Sequence, residues 1–112
     1  MKLMCLLAAP LVAGLALSAS ARAQNQMELV YGLGQFAGAS SACQLPDDRV
    51  EELMTKLLRN VGVEMESEDD DGPIARRFAE GMANGMQAMS ASNAPPCSAV
   101  VAEFERSEQQ AR

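Results

Sequence analysis

The chain has 112 residues, and nine Lys and Arg against fifteen Asp and Glu give it a net charge of −6, with no histidine. A chain of this length is typical of a single domain, and its acidic charge argues against binding to nucleic acid or anionic lipid and favours a basic partner. The lack of histidine also excludes Ser-His and Cys-His catalytic arrangements.

Residues 1–23 read as a Sec signal peptide. A lysine precedes an apolar run over residues 3–17, and Ala21-Arg22-Ala23 supplies the small residues that signal peptidase recognises. Cleavage there starts the mature protein at Gln24, whereas cleavage after Ala21 would start it at Arg22. We therefore expect a periplasmic protein of a bacterial envelope.

The mature chain, residues 24–112, is expected to form one domain without a membrane span. The apolar run of the signal is shorter than the roughly 18 to 20 residues that cross a bilayer, and no later segment is more apolar.

The first helix is predicted over residues 26–43. Apolar or small residues recur there at a 4-3-4-3 spacing that places them on one helical face: Leu29, Leu33, Phe36, Ser40 and Cys43. Cys43 is therefore expected to point into the core from the last turn.

A second helix is predicted after Pro46, which breaks the chain. Asp47 and Asp48 suit the positive end of a helix, and Gly62 is a good stop at the other end. Between them lies a wide apolar stripe made of Val50, Leu53, Met54, Leu57, Leu58 and Val61.

Residues 64–72 carry six carboxylates in nine positions and almost nothing to bury, which predicts a solvated acidic loop. The run also suggests calcium, but an EF-hand alignment that sets Asp71-Gly72 at loop positions 5 and 6 puts Ser67 and Phe78 where acidic ligands belong. We expect no defined metal site there. Docking of a basic protein is the functional alternative to a loop that only keeps the molecule soluble.

Two more helices complete the prediction. The third begins with Pro73 in its first turn, ends before residues 92–96, and has an inner face formed by Ile74, Phe78, Met82, Gly85 and Met89. The fourth runs from about Pro96 to Gln109 and turns four residues inward: Cys97, Val100, Val101 and Phe104. The residues after it should fray. No strand is predicted, so the fold class is an all-α bundle of about four helices.

Two G-x-x-x-G spacings, Gly34 with Gly38 and Gly81 with Gly85, lie on the first and third helices. Glycines at i and i+4 let another helix approach closely, which suggests that these two helices pair. Outside a membrane the motif is weak, and glycines merely tolerated in the helices are the simpler interpretation.

Cys5 leaves with the signal, so Cys43 and Cys97 remain as an even pair in a compartment where disulfides persist. A bond between them closes a loop of about 55 residues and stabilises the fold by about 4 kcal/mol in the chain-entropy model. No C-x-x-C motif is present to make the pair redox-active, so we interpret it as structural.

Catalysis is not expected, because the mature chain contains one lysine, one tyrosine and no free thiol once the disulfide forms. No cofactor is expected either. Met82, Met86 and Met89 share one helical face and are candidate ligands for copper(I), a soft ion, although methionines on such a face more commonly fill gaps in a core.

The layout from Tyr31 to Cys97 resembles the small periplasmic immunity proteins of the Tai or Rap type, which neutralise cell-wall amidase effectors of type VI secretion. The matching elements are Tyr31-Gly32-x-Gly34, Cys43-x-x-Pro46, the apolar helix 50–58 and Pro96-Cys97. The resemblance implies a helical inhibitor without catalytic activity.

In size and architecture the chain is also similar to the acid-stress chaperones of the HdeA type, which are exported, helical and linked by one disulfide. That similarity implies carboxylates whose protonation loosens the fold at low pH.

The function expected from the sequence is an exported, non-catalytic module that binds a protein in the periplasm, with a basic periplasmic protein as the partner. Inhibition of an envelope hydrolase and acid-stress chaperoning are the alternatives. Apolar faces on four short helices could also be completed by a second copy of the chain.

Overall fold

The structure is a computed structural model that describes residues 25–63 and 72–111. In these ranges the chain forms four helices and no strand: α1 (residues 25–42), α2 (Asp47–Asn60), α3 (Pro73–Ala88) and α4 (Cys97–Gln110). The predicted all-α bundle is confirmed. The predicted signal peptide and residues 64–71 of the acidic loop lie outside the described residues.

Helix α2 begins and ends as its sequence predicts. Asp47 and Asp48 occupy the first turn and Arg59 the last, so the charges complement the helix dipole at both ends. Gly62 then takes a left-handed conformation with φ of 80°. This turn lets the Val63 N–H donate to the Leu58 carbonyl at 2.8 Å and brings Val63 into the core.

Helix α1 ends in the same way, but without a glycine. Gln44 has φ of 67°, and the Leu45 N–H donates to the Ser40 carbonyl at 3.1 Å. The side chain of Leu45 is buried after this turn. The turn was not predicted, because glutamine is an uncommon residue in a left-handed conformation.

The core consists of two adjoining clusters in the described part of the chain. The larger one contains Ala37, Leu45, Val50, Leu53, Met54 and Phe104, and the smaller one contains Val30, Leu58 and Val63. Phe104 of α4 is fully buried and meets Phe36 of α1 with ring centroids 6.0 Å apart. Aromatic packing of this kind attaches α4 to the centre of the bundle.

The predicted inner face of α1 is confirmed except at its start, since three of its residues are buried or pack against the core: Leu33, Phe36 and Ser40. Leu29, expected inside, is 47% exposed, whereas Val30 and Ala37 are fully buried. The reason is that α1 is buried on two sides, by the core and by α3, and this rotates its buried surface away from Leu29. Val61, the C-cap of α2, is likewise exposed, and Val63 after the turn is buried in its place.

Helices α1 and α3 pack with their backbones in contact, so the predicted pairing of the two G-x-x-x-G segments is confirmed. A Cβ at Gly34 would collide with the Phe78 carbonyl oxygen, and one at Gly38 with the Met82 carbonyl oxygen. The contacting positions rise together along the chain, so the two helices run parallel. The alternative, that the glycines are merely tolerated in the helices and have no role in packing, does not explain this contact.

The disulfide fastens α4 to the end of α1. Cys43 and Cys97 are bonded, with their Cα atoms 5.4 Å apart. From this bond the two helices run in opposite directions, since Phe104 of α4 meets Phe36 of α1. None of the helices in residues 25–63 and 72–111 combines the length and the apolar character needed to cross a bilayer.

Candidate functional site

The lysine and the tyrosine in the described residues lie on different helices, and each contacts a charged side chain. Lys56 of α2 lies 3.5 Å from the Glu52 carboxylate, and the Tyr31 ring of α1 is covered by the Arg77 guanidinium, 4.1 Å from the ring centroid. Within residues 25–63 and 72–111, no three His, Cys, Asp or Glu side chains come together as metal ligands.

The disulfide lies nearer the surface than the sequence predicts. Cys97, expected on the inner side of its helix, is exposed, and Cys43 is half-buried. The physical reason is that Cys97 is the first residue of α4, with Pro96 as its N-cap, so it sits at the rim of the bundle. The bond therefore ties helix ends together and leaves the core to apolar side chains.

An ion pair between α2 and α4 was not predicted. The Arg49 guanidinium donates to both carboxylate oxygens of Glu108, at 2.9 Å from Nε, and lies 5.2 Å from the centre of the Phe104 ring. Donation to Glu108 raises the pKa of Arg49 above its ordinary value. In the sequence, Arg49 is a basic residue among acidic ones at the start of α2, which indicates an ion pair. The sequence could not identify Glu108 as its partner.

A polar seam runs along the outside of the α1–α3 contact. Gln35 donates to the Asn84 side-chain oxygen at 2.7 Å, and Arg77 pairs with Glu80 at 3.1 Å while it covers Tyr31. The Gln35–Asn84 and Tyr31–Arg77 contacts join the two helices, and the Arg77–Glu80 pair lies within α3. The seam is therefore a part of the packing and offers little to a ligand.

The three candidate copper ligands lie on the second half of α3 and at its end. Met82 is half-buried and packs against the larger core cluster, Met86 is 48% exposed, and Met89 is half-buried at the C-cap of the helix. The expectation that these side chains fill the core therefore describes Met82 well and does not describe Met86.

An apolar depression on α1 was not predicted as a site. It is lined by Asn25, Glu28, Leu29, Gly32 and Leu33, which we call the α1 surface. Gly32 is exposed, and a Cβ built there would meet no atom within 4 Å. The sequence did not indicate this depression, because the predicted helix face placed Leu29 inside. Leu33, which was also placed inside, does pack against both core clusters.

Comparison with protein-family models, with curated proteins and with solved structures found no match to this chain.

Proposed function

We propose that this protein is exported to the periplasm and acts there by binding a protein partner, without catalysis. The observation that carries the proposal is the α1 surface. Leu29 is 47% exposed on it, beside an uncovered Gly32 and a half-buried Leu33. An apolar side chain that is half exposed on a small bundle can contact an apolar anchor residue of a partner protein.

The scaffold behind the α1 surface favours binding because it is already ordered. On its other sides α1 is held by the backbone contact with α3 and by buried Val30 and Ala37. Its end is tied to α4 by the Cys43–Cys97 bond. A surface fixed in this way loses little conformational entropy when a partner docks, and that retains more of the interaction energy as affinity.

The charges indicate the chemistry of the partner. Glu28 lines the α1 surface, and the whole chain has fifteen Asp and Glu against nine Lys and Arg. A partner with an apolar side chain flanked by lysine or arginine would meet both features, and long-range attraction would speed its encounter. The disulfide is compatible with an oxidising compartment, which supports a periplasmic location.

A photoreactive amino acid at position 32 tests the proposal. The open space around Gly32 accommodates the added side chain, and Ala102, which is exposed on α4, is the matched control position. After irradiation in periplasmic extract, we expect a discrete protein adduct from position 32 that is absent from position 102. Leu29→Asp in the same chain should remove the adduct, and added salt should reduce its yield.

Equal adducts from both positions, or none from position 32, would contradict the proposal. Circular dichroism of each labelled protein checks that the helices are intact. Because Leu29 is half exposed and Ala102 is exposed, neither change should disturb the core.

Inhibition of an envelope hydrolase is a second candidate, implied by the resemblance to amidase-immunity proteins. The observation that favours it is the placement of the disulfide, which joins the turn before Pro46 to the residue after Pro96. The purified protein should then reduce muropeptide release by a type VI cell-wall amidase in stoichiometric amounts. Unchanged release by amidases from competing strains would argue against this role.

A further inference from the structure

Three methionines on α3 and at its C-cap form a group that the core accounts for only in part and that the proposed binding surface does not include. Met82, Met86 and Met89 are spaced at i, i+4 and i+7, and Met89 keeps helical backbone angles at the C-cap. Side chains with this spacing share one face of a helix, with about 5–6 Å between neighbouring Cβ atoms. Their thioethers can therefore approach a common point outside α3.

Burial distinguishes this group from the core. Met54 of α2 shows what a core methionine looks like in this protein, since it is only 3% exposed within the larger cluster. Met86 is 48% exposed, and Met82 and Met89 are half-buried. Packing against the core explains why Met82 is half-buried. It does not explain why Met86, a long apolar side chain, is half exposed beside two other methionines.

The surroundings select the class of ligand. Residues 81–89 contain no charged side chain, and the side-chain oxygen of Asn84 already accepts from Gln35. Hard cations such as Ca²⁺ and Mg²⁺ need several charged oxygen ligands, which this stretch lacks. Neutral sulfur is instead a ligand for soft ions such as copper(I).

We propose that Met82, Met86 and Met89 bind one soft monovalent cation, of the copper(I) or silver(I) type, through their three thioether sulfurs. Coordination requires no proton or electron transfer, because a thioether has no proton to lose and the ion enters in its +1 state. The acidic chain attracts the cation, and the half-buried Met82 and Met89 hold it against the helix. This site is separate from the α1 surface and does not depend on the proposed function.

Silver(I) is the better probe because it needs no reductant. Reductants used to maintain copper(I) could open the Cys43–Cys97 bond and create thiols that bind the ion more tightly. The protein should be titrated with silver nitrate in chloride-free buffer after a thiol assay has shown that the disulfide is intact. Methionine methyl groups labelled with carbon-13 report each thioether separately.

We expect the methyl resonances of Met82, Met86 and Met89 to shift together and to saturate at one equivalent, while those of Met27 and Met54 stay in place. Met86→Leu should weaken binding about tenfold or more, since it removes one of three soft ligands. Met27→Leu, a change on α1, is the control and should keep the affinity of the original protein. Binding should also be unchanged between about pH 5 and pH 7, unlike binding to carboxylates or imidazoles.

Two results would contradict the proposed cation site. One is a shift of the Met27 resonance in parallel with the other three, which would mean that silver binds any accessible thioether. The other is undiminished binding by both Met86→Leu and Met89→Leu. Met86 is half exposed, so its leucine variant should fold, and circular dichroism confirms this before the titration.

Discussion

At the scale of single residues, the glycines of α1 and α3 differ in what a methyl group would meet. A Cβ at Gly85 would collide with the Gln35 carbonyl oxygen and lie 2.8 Å from its carbonyl carbon and Cα. These are backbone atoms of a neighbouring helix, so the clash can be relieved only by separating α1 from α3. At Gly32, on the other side of α1, the same methyl group would meet no atom within 4 Å.

We predict that Gly85→Ala destabilises the fold by about 3 kcal/mol, the upper part of the range for overpacking. Gly32→Ala, the matched control, should stabilise it by about 0.5–1 kcal/mol, because alanine is the better helix former at an open position. Urea denaturation followed by circular dichroism gives both values. Equal effects of the two changes would mean that α1 and α3 do not pack through their glycines.

At the scale of the element, α4 is held at three points. Cys97 bonds it to Cys43 at its start, Phe104 is buried at its middle, and Glu108 accepts from Arg49 near its end. The disulfide and the burial of Phe104 do not depend on pH in acid. The ion pair with Arg49 requires an ionised carboxylate on Glu108, so acid weakens the end of α4 while the disulfide still holds its start.

The pH direction in which the ion pair is lost depends on the charges of Arg49 and Glu108. Arg49, whose pKa is raised, stays charged throughout acid and would lose its charge only in strong base. The ion pair is therefore lost from the carboxylate side as pH falls. If the protein is an acid-stress chaperone, its α4 should loosen in acid as carboxylates become protonated, and expose the apolar surface around Phe104.

Glu108→Gln tests the role of the ion pair. We expect the variant to bind an apolar dye at a higher pH than the original protein, because the pair is already lost. Glu103→Gln, which removes a carboxylate that pairs with Arg106 on the exposed side of the same helix, should leave the transition where it was. Dye fluorescence measured from neutral pH to pH 2 reports the change. No dye binding by the original protein at pH 2 would end the chaperone interpretation.

At the scale of the whole molecule, the disulfide links residues that are 54 positions apart. A bond over that distance restricts the unfolded chain strongly, which matters in a domain with a small core. We predict that Cys43→Ala combined with Cys97→Ala lowers the free energy of unfolding by about 4 kcal/mol in the chain-entropy model. Chemical denaturation of the two proteins under oxidising conditions measures the difference, and an unchanged midpoint would contradict a structural role.

The helices, and the stop of α2, were predictable because their causes are local. The apolar stripe of α2, the acidic residues of its first turn and the glycine after it all act within a few residues of one another. The G-x-x-x-G segments also suggested the α1–α3 contact. What could not be predicted was that Leu29, at the start of the inner face of α1, would remain exposed, because that depends on how the other helices pack against α1.

The sequence by itself therefore determined that the chain is helical, approximately where the helices lie, and that Cys43 and Cys97 are the pair to be joined. Only the tertiary structure decided that Leu29 and Met86 remain exposed, that Arg49 meets Glu108, and that α1 and α3 run parallel in backbone contact. The physical reason is that hydrogen bonding and helix capping act between near neighbours in sequence. Burial and ion pairing depend instead on which helices share a boundary, and four helices can share boundaries in several ways.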